Sequence, residues 1–154
     1  AGSNLKGANL NGTDCQGVRF NNAELQGCTF QRANLKKVDL SNLDLRKIDL
    51  SEADLRKADL RNSDLYSVRL FKTDLRNSLL SNANLTAAYL SSAVMQGADL
   101  QWANLEQAIL RYATSLTPGQ IQSAKIDRET KLPHYLEVHW VSDNNFHCKF
   151  KADT

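Results

Sequence analysis

The groups in this 154-residue chain that could bind a metal or do acid–base or nucleophilic work are three histidines, three cysteines and seventeen carboxylates. Their spacing argues against such work. His134 and His139 are five residues apart and do not share a helical face. His147 and Cys148 adjoin, but no second pair completes a zinc ligand set. Cys148, in the tail, is the one thiol expected to be reactive, and a Cys148–histidine pair finds no orienting acid or oxyanion donor. Aspartates recur along the chain instead of converging, and no glycine loop is built to cradle phosphate. The expectation is no catalytic residue, no metal ligand, no cofactor and no small-molecule substrate; the chain is not expected to be an enzyme.

The aspartates recur because the chain itself does. A large apolar residue stands at every fifth position from Leu5 to Leu110, giving 22 units. It is Leu except at Cys15, Phe20, Phe30 and Met95. Two residues earlier stands a small or β-branched side chain such as Ala8, Ala33, Ala58 or Ala108, and between the two a polar residue, most often Asp or Asn. A helix needs apolar residues three and four apart, and a lone strand alternates by two, so a period of five fits neither. Three extended residues followed by a forced turn do fit: the small residue and the leucine point inward, the Asp or Asn outward. Gly7, Gly12, Gly17, Gly27 and Gly97 fall at the turns. Fixed-period self-similarity marks a solenoid.

The A-(D/N)-L-x-x tract resembles the pentapeptide-repeat family over about the first three-quarters of the chain. The resemblance implies an all-β fold, a right-handed quadrilateral parallel β-helix with one pentapeptide per side and twenty residues per coil. Asn22, Asn42, Asn62 and Asn82 are spaced by twenty, so stacked coils would align them, with an asparagine ladder of bonded amides as one reading and chance in a polar slot as the other. Cys15 takes a leucine slot and Cys28 an alanine slot; both read as buried hydrophobes on different sides, with no disulfide framework. Val38, Leu43, Ile48 and Val68 are bulkier than their slot prefers, which predicts local swelling of the bore.

The expected organisation is a repeat domain over 3–115, a C-terminal helical cap over 116–141 and a loose polar tail over 142–154. Thr117 reads as an N-cap, Pro118 as the first helical residue, Gln120 as the return half of a capping box, and Leu116 and Ile121 as a hydrophobic staple, with the helix running to about Lys125. Residues 134–141 read as a short helix, or as a strand with Leu136, Val138 and Trp140 inward; the helix is preferred. The T-P-x-Q-I and Leu-Pro segments resemble the C-terminal caps of cyanobacterial members of the family. The first coil begins almost at once and presents an open edge, so the expected state is a monomer or a dimer through that end. Ala1-Gly2-Ser3 has the composition of a cloning remnant; a cytoplasmic location is favoured, with periplasm or thylakoid lumen open if a leader was removed. No apolar run is long enough to span a membrane.

With the bore filled, information must lie in the outward slots. Lys36, Arg56 and Arg76 share a slot at intervals of twenty, with Lys37 and Lys57 beside them. They read either as a stripe for an anionic partner or as a solvated face neutralised by Asp54 and Asp74. Beyond residue 66 outward slots turn apolar, and Phe71, Tyr89, Trp102 and Ile109 become candidate contacts unless the tail covers them. The expected function is a non-catalytic rigid scaffold or protein–protein interaction module with a protein partner yet to be identified. The alternative comes from the resemblance: some family members mimic duplex DNA and bind DNA gyrase, conferring quinolone protection, as two-fold dimers joined at their C-termini. That requires a strongly anionic surface, whereas residues 1–115 carry 14 basic and 12 acidic side chains, a net of +2. The near-balance also argues against a nucleic-acid binder.

Overall fold

In the computed structural model, which describes residues 2–152, the chain climbs as a four-sided parallel coil. The outward residue of a unit bridges the one twenty positions later at nearly every level, as in Asn34 to Asp54 to Asp74 to Val94. A five-residue unit with the full motif satisfies its own backbone. In the unit from Asp54 to Ala58, Leu55 N–H donates upward to Asp74 O (2.8 Å), and Asp54 N–H downward to Ala33 O (3.0 Å). Lys57 N–H reaches Arg76 O (3.0 Å), and Ala58 N–H closes the corner on Leu55 O (3.0 Å). The fifth donor, Arg56 N–H, goes to the Asp54 carboxylate at 3.3 Å. The Asp or Asn of the motif is therefore a local cap for the corner as well as an outward polar group.

The corners are type II turns, since only the second corner residue has positive φ, as at Lys57 (60°) and Gly97 (67°). This is what the asparagine column reflects. Asn22, Asn42, Asn62 and Asn82 all sit at φ between 57° and 59°, a conformation Asn tolerates better than most residues. No amide-to-amide bond joins them among the described residues, so the expected ladder of bonded amides is replaced by a column of left-handed turn residues.

Inside, the leucines at every fifth position from Leu25 to Leu110 are at most 1% exposed, and the alanines two residues before them, from Ala33 on, at most 3%. Ser63, Thr73 and Ser78 are buried in alanine slots, and each hydroxyl donates to a backbone carbonyl: those of Leu60 (2.6 Å), Leu50 (2.9 Å) and Leu75 (2.8 Å). Among the described residues, one bridge of the regular stack is missing, between Glu24 and Asp44. There Leu43 fills an alanine slot and the rings of Phe20 and Phe30 meet edge to face, 5.9 Å apart. Overfilling the bore pushes coils apart. Val38, Ile48 and Val68 are accommodated without losing their bridges.

The closing end departs from expectation. Helix α1 (Pro118–Gln122) is one turn, shorter than predicted, although its Thr117 cap, capping box and Pro118 stand as read. Its Ile121 is buried beside Leu116. Residues 134–141 are not helical: strand β1 (Leu136–Ser142) pairs antiparallel with β2 (Asn145–Phe150), with Trp140 opposite Phe146. The tail expected to be loose thus supplies β2, and the cap is one helical turn plus a hairpin. The strand reading prevails because Leu136 and Phe146 bury their side chains at 7% exposure, which a two-residue period delivers.

Between α1 and β1 the chain makes one more irregular coil. Ala124-Lys125-Ile126 lies over Ala103-Asn104-Leu105, and Thr130-Lys131-Leu132 over Ala108-Ile109-Leu110, with Leu105 N–H to Lys125 O at 2.8 Å and Leu110 N–H to Lys131 O at 2.7 Å. Side chains cover what remains. The Gln120 amide donates to Met95 O (3.0 Å) and Ala98 O (2.8 Å). Tyr135 Oη accepts from Leu116 N–H and donates to Ala113 O, both at 3.0 Å. The Gln122 amide donates to Phe146 O and accepts from Cys148 N–H, tying β2 to the coil. The first coil lacks such a lid among the described residues, and Leu5, Leu10 and Cys15 are only partly buried.

Candidate functional site

Two surfaces stand out, on different parts of the rod. The first is the side carrying the column Arg69, Tyr89, Ile109. Tyr89 is 49% exposed and Phe71, at the corner that ends this side, 41% exposed. Between them runs a shallow groove of about 570 Å3 that also takes in Gln31, Asp49, Ser51, Arg69 and Ser91. Asp49 is its polar centre: it accepts from Gln31 Nε2 (2.7 Å) and from Ser51 N–H (2.9 Å), and Arg69 lies 3.9 Å away. Burial works to raise the Asp49 pKa, but the bonds from Ser51 and Gln31 prevail and hold it below the ordinary carboxylate value. The cap leaves Phe71 and Tyr89 open, while Ile109 is half-buried because Lys131 of the last coil bridges it.

Trp102 does not join this face. It follows Leu100 at the corner that carries Asn42, Asn62 and Asn82, diagonally across the square from Phe71. It is 68% exposed at φ 57°, and it lines a groove of about 630 Å3 against the hairpin residues Asn144 and Phe146. Tyr112 is equally exposed in the left-handed region (72%, φ 62°), above Phe71's corner. Nothing in the five-residue period marks these positions as strained until the turn type is known.

The second surface is the corner where Lys36-Lys37, Arg56-Lys57 and Arg76-Asn77 stack, with Gln96 above, around a groove of about 410 Å3. Arg56 makes a two-pronged contact with Asp54 (2.8 and 2.7 Å) and lies 3.6 Å from Asp74; Arg76 grips Asp74 in the same way. Lys36 reaches Asp54 at 3.3 Å. The Arg56 guanidinium holds the Asp54 carboxyl below its usual range. For Asp74, burial pulls upward but the bond from Arg76 wins. Neutralisation by the aspartates therefore describes Lys36, Arg56 and Arg76. Lys37 and Lys57 make no ion pair among the described residues.

The histidines, Cys15 and Cys148 line neither surface; Cys28 lies lower on the side of Tyr89, buried. His139 contacts Glu137 (3.0 Å) and faces His147 across the hairpin. The described residues hold no group of three His, Cys, Asp or Glu side chains that could bind a metal. Burial pushes the Cys148 thiol up, which lowers its reactivity. Cys28 donates to Leu5 O (2.8 Å), and burial raises its pKa as well.

Comparison with known proteins agrees with this geometry. No curated protein sequence matches the chain. Among solved structures, a trypsin-treated QnrB1, a plasmid-mediated fluoroquinolone resistance protein, superposes with a TM-score of 0.57 at 19% identity, over 86% of this chain and 78% of that one. The pentapeptide repeat protein alr5209 from Nostoc PCC 7120 is 32% identical over 69% of this chain and 74% of its own, with a TM-score of 0.28. HetL, a pentapeptide repeat protein involved in heterocyst differentiation regulation from the cyanobacterium Nostoc sp. strain PCC 7120, is 32% identical over 72% of this chain and 55% of its own, with a TM-score of 0.30. The family described as Pentapeptide repeats matches over residues 3–42, 33–70 and 73–111, in 8 copies. The fold is a right-handed β-helix, and the chain belongs to the pentapeptide-repeat family.

Proposed function

We propose that this protein is a non-catalytic, rigid interaction module that binds a protein partner through the side bearing Phe71, Tyr89 and Ile109. The observation that carries the reading is the contrast between a bore filled with leucine and an outer side where Tyr89 and Phe71 stand 49% and 41% exposed around Asp49 and Arg69. Exposed aromatics rimmed by hydrogen-bonding and charged groups are the composition of a protein contact. The strand backbone beneath is paired between coils, Arg69 N–H to Ile48 O and Tyr89 N–H to Val68 O, so this side binds through side chains and does not lend an edge for strand addition.

The test is affinity capture with the intact chain, compared with Phe71→Ser/Tyr89→Ser in the same fold. Both positions are outward; serine already occupies the slot of Phe71 in the flanking coils, at Ser51 and Ser91, and a small hydroxyl residue, Thr29, stands in the column of Tyr89. The captured partner is expected to fall away while the melting temperature holds. Retention of the partner by the folded double variant rejects this side as the site.

A further inference from the structure

We propose that the basic corner is a second binding site, for an extended acidic peptide segment lying along the rod. It concerns a different part of the molecule from the aromatic side and stands whether or not that side binds.

The charge count is the first reason. Five cations, Lys36, Lys37, Arg56, Lys57 and Arg76, meet at one corner with two carboxylates, Asp54 and Asp74, in a chain whose overall charge is only +2. The two carboxylates hold the arginines and Lys36 in place, which leaves Lys37 and Lys57 as the cations with no ion-pair partner among the described residues.

Their position is the second reason. Lys37 and Lys57 stand at φ 56° and 60°, at a corner whose equivalent position is Gly17 one coil below Lys37 and Gly97 two coils above Lys57. Folding favours glycine there. Lysine takes this turn position elsewhere too, at Lys47 and Lys72, but only here do two such lysines stack with arginines in one groove.

The surroundings select the ligand. Carboxylates flank the corner on both sides: Asp54 and Asp74 on one, Asp39, Asp59 and Asp99 on the next. A wide anion such as a duplex would bring its outer phosphates against these columns, so the ligand must be a single narrow chain. Single-stranded nucleic acid is held by aromatic platforms under its bases, and no lining residue of this groove is aromatic. An extended peptide needs none. Its alternate side chains recur every ~6.7 Å along one face, while the coils rise by ~4.8 Å. The long lysine stems span that difference.

Fluorescence anisotropy on the full chain tests the site with three probes: labelled decaglutamate, decaglutamine, and an oligothymidylate of matched charge. Saturable binding of decaglutamate, weakening as salt rises, is expected, with no binding of decaglutamine. Lys37→Gly/Lys57→Gly should weaken decaglutamate binding about tenfold, two surface charges each contributing a modest factor. Its melting temperature should not fall, because glycine suits both turns. Lys47→Gly, at another corner, should leave the affinity unchanged. The proposal is overturned if decaglutamate does not bind, if the double glycine variant binds it as wild type does, if Lys47→Gly matches the double variant's loss, or if oligothymidylate binds as tightly as the peptide.

Discussion

The rod and its lid solve one problem in opposite ways. Both must satisfy backbone groups at a coil's upper surface. In the rod, each coil presents its N–H and C=O groups to a copy of itself, so one local rule suffices at every level. At residues 116–150 there is no next copy, and single side chains do the work: Gln120 covers Met95 O and Ala98 O, Tyr135 bridges Leu116 and Ala113, and Gln122 holds β2. Rod stability is thus spread over many equivalent contacts, whereas lid stability sits in a few that cannot be exchanged. A lesion in the rod should therefore act globally and one in the lid locally.

The largest effect belongs to the rod. Leu60 is fully buried at mid-height. Leu60→Ala is expected to destabilise by ~2–5 kcal/mol, because coils above and below cannot collapse into the gap. Urea denaturation should show the whole repeat tract melting earlier as one transition. If only a few neighbouring amides lose protection from hydrogen exchange, coils are independent and the contrast with the lid disappears.

In the lid, Tyr135→Phe removes one hydroxyl and leaves two backbone groups without a partner, a loss of about 1–3 kcal/mol. The expected signature is faster exchange at Leu116 and across β1 and β2, while Leu60 and its neighbours keep their protection. Equal loosening of the rod would show that the lid is part of a single cooperative unit.

The same contrast explains what could be read in advance. The five-residue period revealed the rod, because a rule applied 22 times outweighs any local ambiguity. Together with the twenty-residue coil that the family resemblance implies, it also located the basic corner, where Lys36, Arg56 and Arg76 align. It could not separate Trp102 from Phe71, because apolar spelling in the outward slots looks alike until each corner is assigned. The lid was harder. Its coil does keep the small–polar–apolar triplet in Ala124-Lys125-Ile126 and Thr130-Lys131-Leu132, but the bridges fall 21 and 22 residues on instead of 20. A search in fixed phase passes over them. Leu136, Val138 and Trp140 alternate as a strand should, yet the hairpin rests on pairing with 145–150, a contact that no local propensity encodes.

A smaller effect separates the corners themselves. Tyr112 is 72% exposed in a left-handed turn position where glycine serves at Gly12. Tyr112→Gly should stabilise by about 0.5–1 kcal/mol, because release of backbone strain exceeds the entropy glycine adds to the unfolded chain. Destabilisation on thermal melting would mean that the ring makes a contact whose value exceeds the strain.

The smallest effect tests the surface pairs along the rod by pH. Hydrogen bonding to Arg46 lowers the Asp44 pKa to about 2 against the pull of burial. An unfolded aspartate titrates near ~3.9. Because the folded value is the lower one, the ionised pair stabilises the fold above about pH 4, and this contribution is lost as pH falls toward 2. Asp44→Asn removes the titrating group but keeps the corner bond, as Asn34 and Asn84 do in equivalent slots. The difference in stability between wild type and variant should therefore be steady above pH 5 and shrink between pH 4 and 2. A difference that does not change with pH over that interval would mean that Asp44 serves only as a corner cap, and that the arginines along the rod contribute no more to its stability than the corner lysines that have no ion-pair partner.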